Sequence, residues 1–138
     1  MVNKFKAEKA TREIRNKIYK FDSKAEATYF DKLYQLAVSG EITSLSTQPE
    51  FSVGTAYTIT VNGKKKKIQS LRYTPDFKYE KDGEWYVVEV KGKKTTDYTM
   101  RKKLFLIQAK DVYNVDYFIE VVSGVETEYQ CGTVRRIA

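Results

Sequence analysis

The 138-residue sequence contains no histidine, and that absence removes much of the usual chemistry. A Ser-His-Asp triad, a histidine-ligated metal centre and the commonest kind of general base are all excluded. The single cysteine, Cys131, has no partner for an internal disulfide and cannot by itself build a tetrahedral zinc site, so it reads as a passive residue. No apolar run approaches the ~20 residues that span a bilayer, and the N-terminus shows no apolar signal-peptide segment. A soluble, cytoplasmic protein is the expectation. Acidic residues are in short supply too, 18 against 25 Lys and Arg, and the net charge of +7 calls for an anionic partner, either nucleic acid or an anionic membrane surface. The chain is one domain's worth, and carboxylates and lysines are the groups left for chemistry.

What is present centres on Tyr73 to Lys91. Two runs rich in aromatic and β-branched residues flank Asp82-Gly83, the strongest short-range signal for a two-stranded hairpin. A turn centred there puts Asp76 directly opposite Glu89, with Lys91 on the same face and Phe77, Tyr79, Tyr86, Val88 and Val90 on the other. Facing Cβ atoms in such a pair lie roughly 4.5–5.5 Å apart, where like charges are destabilising. A divalent cation between the carboxylates, with the Lys91 ammonium beside it, is the simplest offset, and Mg²⁺ is commonly held by one or two carboxylates plus substrate phosphates and water. The alternative is a solvated face of alternating charge made by Asp76, Lys78, Glu89 and Lys91.

Around this hairpin the chain divides into residues 1–20, a basic arm with weak helical potential, and residues 21–138, a single domain, with a short strand expected over Ile18 to Phe21 where the two meet. Asp22-Ser23 opens a helix that runs to about Val38 and stops at Gly40. Glu26 has capping-box spacing from Ser23, yet it also shares a helical stripe with Phe30, Leu33 and Ala37 and is aimed at the core's neighbours. Residues 42–61 read as strand material interrupted at Gln48-Pro49 and Gly54. Asn62-Gly63 marks a second hairpin turn, followed by Lys64, Lys65, Lys66 and Lys67, a solvated loop or one that reaches a phosphate backbone or groove. Thr95-Thr96-Asp97 begins another helix, to about Tyr113, with Met100, Leu104, Phe105, Ile107, Ala109 and Val112 as its apolar side. Lys93, Lys94, Arg101, Lys102 and Lys103 then become candidates for phosphate contacts, or plain surface charge. Residues 115–122 form a buried strand, and the remainder to Arg135-Arg136 a tail or edge strand. A helix between Glu89's strand and the next permits a parallel crossover, so the fold expected is α/β (α+β), a mixed central sheet flanked by helices.

Pro75-Asp76 followed by Glu89-x-Lys91-Gly92 resembles the signature of the PD-(D/E)xK nuclease superfamily. Together with Ser23-Lys24-Ala25-Glu26-Ala27, Tyr73-Thr74-Pro75-Asp76-Phe77 and Val88-Glu89-Val90-Lys91-Gly92, the chain from Phe21 to Phe105 is similar to a phage family of Holliday-junction-resolvase-like endonucleases. The resemblance implies a restriction-endonuclease-like αβββαβ core and a metal-dependent endonuclease. It implies Mg²⁺, replaceable by Mn²⁺, on Asp76, Glu89, Glu26 and the Val90 carbonyl, with Lys91 orienting water or stabilising charge at phosphorus. It further implies branched DNA as substrate, a homodimer, and work in a bacterial host's cytoplasm. Two rival readings stay open: a catalytically silent DNA-binding protein on the same fold, and a nuclease for linear duplex or single strands, like transposition and restriction relatives.

Overall fold

The computed structural model describes residues 9–132 and residue 137. Residues 1–8 of the expected basic arm, and Arg135-Arg136, lie outside the described residues. The rest of that arm is not an arm. Ala10–Ile14 (β1) and Lys17–Phe21 (β2) form an antiparallel hairpin. Its turn residues Arg15 and Asn16 both have positive φ, 50° and 68°, the pattern whose twist matches a two-residue hairpin. Phe21 joins the core, Ala10, Ile14 and Tyr19 pack against it, and the Arg12 guanidinium clasps Asp31 at 2.9 Å. The usual Asn-Gly or Asp-Gly signal is missing from this turn.

Helix α1, Lys24–Val38, starts where expected. Ser23 Oγ accepts the Glu26 N–H at 3.1 Å, and Gly40 follows the last turn at φ +81°. The helix buries Ala27, Phe30 and Leu33.

The central sheet has five strands: Thr43–Thr47 (β3), Phe77–Lys81 (β8), Glu84–Lys91 (β9), Tyr117–Val122 (β10) and Val125–Gln130 (β11). They lie in the order β11-β10-β9-β8-β3, parallel only between β9 and β10. The Asp82-Gly83 turn sets the expected register, pairing Phe77 with Val88 and Tyr79 with Tyr86. Along β9 both faces are covered. Val88 and Val90 join Phe77, Tyr79, Ile119 and Val121 in a core against α1, whereas Val87 and Phe118 join Phe105 and Ala109 of the second helix, α2, Thr96–Tyr113. Both sheet edges are irregular or charged. β3 shifts register between Thr43 and Ser46, and β11 exposes Glu126 and Glu128.

Helix α2 is capped by the Thr95 hydroxyl, which accepts the Tyr98 N–H at 3.1 Å, and ends at Asn114 in the left-handed region. Its buried positions are Tyr98, Lys102, Phe105 and Ala109. This corrects the expected apolar side: Met100, Ile107 and Val112 are exposed, and Lys102 turns inward. The 98-102-105-109 row is a regular helical stripe, disguised because one of its members is a lysine.

Between β3 and β8 the chain makes two further two-stranded units. Phe51–Gly54 (β4) pairs with Leu71–Tyr73 (β7) and lies on α2 through ring contacts of Phe51 and Tyr73 with Phe105, at 4.9 and 5.4 Å. Tyr57–Val61 (β5) and Lys64–Ile68 (β6) form a ribbon through the Asn62-Gly63 turn, and every residue of both strands is exposed. The four lysines are therefore strand residues rather than a loop.

Candidate active site

Each site residue is delivered by an element whose position follows from the packing above. Asp76 lies between the buried Pro75 and β8. Its N–H donates to the Val88 carbonyl at 3.0 Å and its carbonyl accepts from Gln48 N at 2.8 Å. The regular pairing stops at Phe77 and Val88, so Asp76 is a bend just beyond it rather than a further rung, with its carboxyl within hydrogen-bond reach of that of Glu89. Its Oδ2 accepts the Val90 N–H at 2.7 Å. Glu89 is 3% exposed. Its Oε1 meets the Lys91 ammonium at 3.2 Å; its buried Oε2 meets no N–H, ammonium or hydroxyl donor, and the Asp76 carboxyl lies within hydrogen-bond reach of the Glu89 carboxyl. The Lys91 ammonium also sits over the Tyr98 ring, 4.9 Å from its centroid.

Glu26 does not close the expected capping box with the N-cap Ser23 N–H but reaches one residue further back. Its Oε2 accepts the Asp22 N–H at 3.3 Å, while it feels the charge of Asp76 and its own charge is felt by Glu89. Burial, then Asp76, pushes its carboxyl up to about 7. Asp76 is also raised well above the carboxylate range, by burial and then by Glu89. Burial raises Glu89 further than the Lys91 ammonium draws it back. The Tyr73 hydroxyl, buried beside them without a partner, is driven up by burial and the charge of Glu89. These carboxyls resist ionisation together because they are desolvated and close enough to repel one another.

Among the described residues, no three acidic or cysteine side chains form a ready-made metal cage. The donor set that does exist is the Asp76/Glu89 pair with Glu26 behind it. The Glu89 Oε2, which meets no N–H, ammonium or hydroxyl donor in a site whose carboxyls all resist charge, suits a cation that completes its shell with water and phosphate oxygens. The pair fits Mg²⁺ on that ground.

Sequence reasoning missed Glu120. It stands beside Glu89 in the parallel ladder, 2% exposed. Its Oε2 accepts from the Tyr98 hydroxyl at 2.5 Å and from Lys102 Nζ at 3.0 Å, and its Oε1 meets Lys94 Nζ at 3.2 Å and the Tyr129 hydroxyl at 3.3 Å. Burial would raise its pKa, but these donors outweigh burial and hold it below the ordinary value. One signal was available: a lone carboxylate inside an otherwise apolar run, Tyr117 to Val122.

The basic candidates separate. Lys102 does not project toward solvent and is withdrawn as a phosphate contact, being 8% exposed and committed to Glu120. Lys94 is tied to Glu120 as well, but is half exposed. Arg101 pairs with Asp97 at 3.0 Å and donates to the Arg72 carbonyl. Lys93 and Lys103 are exposed close to the site's helix, and Lys64 to Lys67 lie out on the ribbon. A cleft of about 460 Å³ opens beside Lys91, lined by Ala25, Thr28 and Val90 among others.

Fold and site together define a mixed α+β protein with a five-stranded central sheet and a buried acidic cluster at its middle. The chain belongs to the family described as "Protein of unknown function (DUF1064)", which matches residues 2–122. No curated protein matches the sequence. Among solved structures, one described as "Crystal structure of SSO0001" aligns with a TM-score of 0.35 and 16% identity, over 80% of this chain and 54% of that one. The present chain thus spans about half the length of that structure.

Proposed function

We propose that this protein is a Mg²⁺-dependent endodeoxyribonuclease, similar to phage Holliday-junction resolvases, with a restriction-endonuclease-like core and Asp76, Glu89, Lys91 and Glu26 as its working residues. The observation that carries the reading is the buried Asp76/Glu89 pair, two carboxyls within hydrogen-bond reach of each other, with an ammonium on the same face. The order α1, β3, β8, β9, α2, β10 supports the core assignment.

Asp76 and Glu89, with the Val90 carbonyl, would hold the cation, and Glu26 would add charge from the helix. When bound, such an ion supplies a Lewis acid and lowers the pKa of water. Asp76 is pre-oriented by the Val90 N–H. Glu89 is fixed by its place in the sheet's central strand. Lys91, steadied by Tyr98 and Glu89, orients the attacking water and offsets charge developing on the phosphate. The resemblance to junction resolvases favours branched DNA, read through its backbone and shape and cut by a homodimer.

The test is cleavage of a four-way junction beside a matched linear duplex in Mg²⁺. Asp76→Asn, Glu89→Gln and Lys91→Ala are expected to bind yet cut at least about 100-fold more slowly, the scale of losing one charge-stabilising group, with Glu26→Gln impaired as well. Unchanged cutting by Glu89→Gln removes the assigned site. Equal cutting of junction and duplex removes only the branched-DNA preference.

A further inference from the structure

The β5–β6 ribbon carries a charge pattern that the acidic site does not use. All of its cationic residues are on one strand, Lys64 to Lys67 of β6, while β5 reads Tyr-Thr-Ile-Thr-Val and is neutral. The two strands pair only with each other. Five residues of extended strand span roughly 17 Å, and alternate side chains on one face stand ~6.6–6.8 Å apart. That is about the separation of consecutive phosphates along a nucleic-acid strand.

The register divides the ribbon's faces. Thr58, Thr60, Lys65 and Lys67 share one face, and Tyr57, Ile59, Val61 and Ile68 share the other with Lys64 and Lys66. The first face offers only hydroxyls and ammoniums. It loses no apolar packing against a hydrated phosphate strand, and a two-stranded ribbon is a size that the B-DNA major groove admits. The ribbon is also attached to the site. β6 runs by way of Gln69 and Ser70 into β7, and Tyr73 at the end of β7 lies three residues ahead of Asp76.

We infer that the β5–β6 ribbon is a backbone-tracking arm that lays β6 along one phosphate strand of duplex DNA, Lys65 and Lys67 inward, and tethers the duplex next to the Asp76/Glu89 site. The arm reads charge, not sequence. The inference rests on the nucleic-acid part of the proposed function and not on its chemistry.

The experiment measures binding of the full chain to a fluorescent 30-base-pair duplex in EDTA across a KCl series, for wild type, the quadruple Lys64–Lys67→Ala variant, Lys65→Ala/Lys67→Ala, and a quadruple Lys→Arg variant. Each released counterion contributes about 0.9 to the slope of log affinity against log salt. The quadruple Ala variant is expected to lose about 2 from the magnitude of that slope, two lysines at about 0.9 each, and to bind about 10–100-fold more weakly at 100 mM KCl. The Lys65/Lys67 pair should account for most of the loss, and the Arg variant should keep wild-type binding. Because the ribbon is exposed throughout, the thermal transition should not move. An unchanged slope and affinity in the quadruple Ala variant overturns the inference. So does ribbon-dependent binding to phosphatidylserine vesicles with no effect on DNA. Cutting plays no part in the readout, so a chain that binds through the ribbon but never cuts would sink the nuclease reading and leave this one standing.

Discussion

Lys102 and Glu120 show what a buried charge pair commits a protein to. Lys102 reaches the interior with its stem along Tyr98 and Tyr129, its ammonium 5.8 and 5.1 Å from their ring centroids, and its charge rests on Glu120. Removing one partner of such a pair leaves the other desolvated, typically at a cost of about 3–5 kcal/mol. Glu120→Ala is therefore expected to destabilise the protein by that amount. Lys102→Met should cost far less, since Glu120 keeps Tyr98, Lys94 and Tyr129. Urea unfolding of both variants checks the asymmetry, and equal losses would show that the pair carries no such strain. Glu120→Ala should also loosen the Tyr98 ring on which the Lys91 ammonium rests, so it is expected to slow any cleavage even in the folded fraction.

Among the secondary-structure elements, the start of α1 does double duty. Ser23 caps the helix and so fixes the turn from which Glu26 faces Asp76. Ser23→Ala should cost about 1 kcal/mol, the usual loss for a missing cap, and Ser23→Asp should restore it. Thermal denaturation of the pair decides. The elements differ in how openly the sequence announced them. The central hairpin was legible because Asp82-Gly83 can adopt positive φ at both positions, 52° and 79°, and because the alternation then fixes every face. Both helices were legible from Ser23, Gly40 and Thr95. Of the β1–β2 hairpin only the second strand was legible, over Ile18 to Phe21; its partner was not, because Arg15-Asn16 makes the turn with residues that rarely advertise it. Nor was β6, since four lysines in a row have little strand preference of their own and pair only because β5 supplies the β-branched partner. Of the site, Asp76, Glu89 and Lys91 could be placed by counting from a turn. Glu120 and the inward Lys102 could not, because their pairing depends on β10 returning parallel beside β9, a fact of tertiary structure.

For the molecule as a whole, the clustered carboxyls make stability depend on pH in an uncommon direction. Glu26, Asp76 and Glu89 all have folded-state pKa values above their ordinary ones. The folded protein thus holds protons that the unfolded chain releases. Stability is full below the ordinary carboxylate range and is lost as pH rises through about 7, the value reached by Glu26. Without divalent ions the melting temperature is expected to fall between pH 5 and pH 8. Asp76→Asn should recover about 3–6 °C of it at pH 8. Millimolar Mg²⁺ should raise the melting temperature more at pH 8 than at pH 5, because ligand binding to the folded state alone is stabilising and the ligands are then ionised. A melting temperature that is flat with pH, or a Mg²⁺ shift of equal size at both, would remove the coupling between these groups.

The margins of the central sheet have a consequence for how copies of this chain can meet. A neighbour adding its own strand to β11 would bring a second row of Glu126 and Glu128 up to the first, and the shifted backbone of β3, with Ser44 at φ 55°, offers no straight template on the other side. Continuation of the central sheet into a second copy is disfavoured at both of its borders.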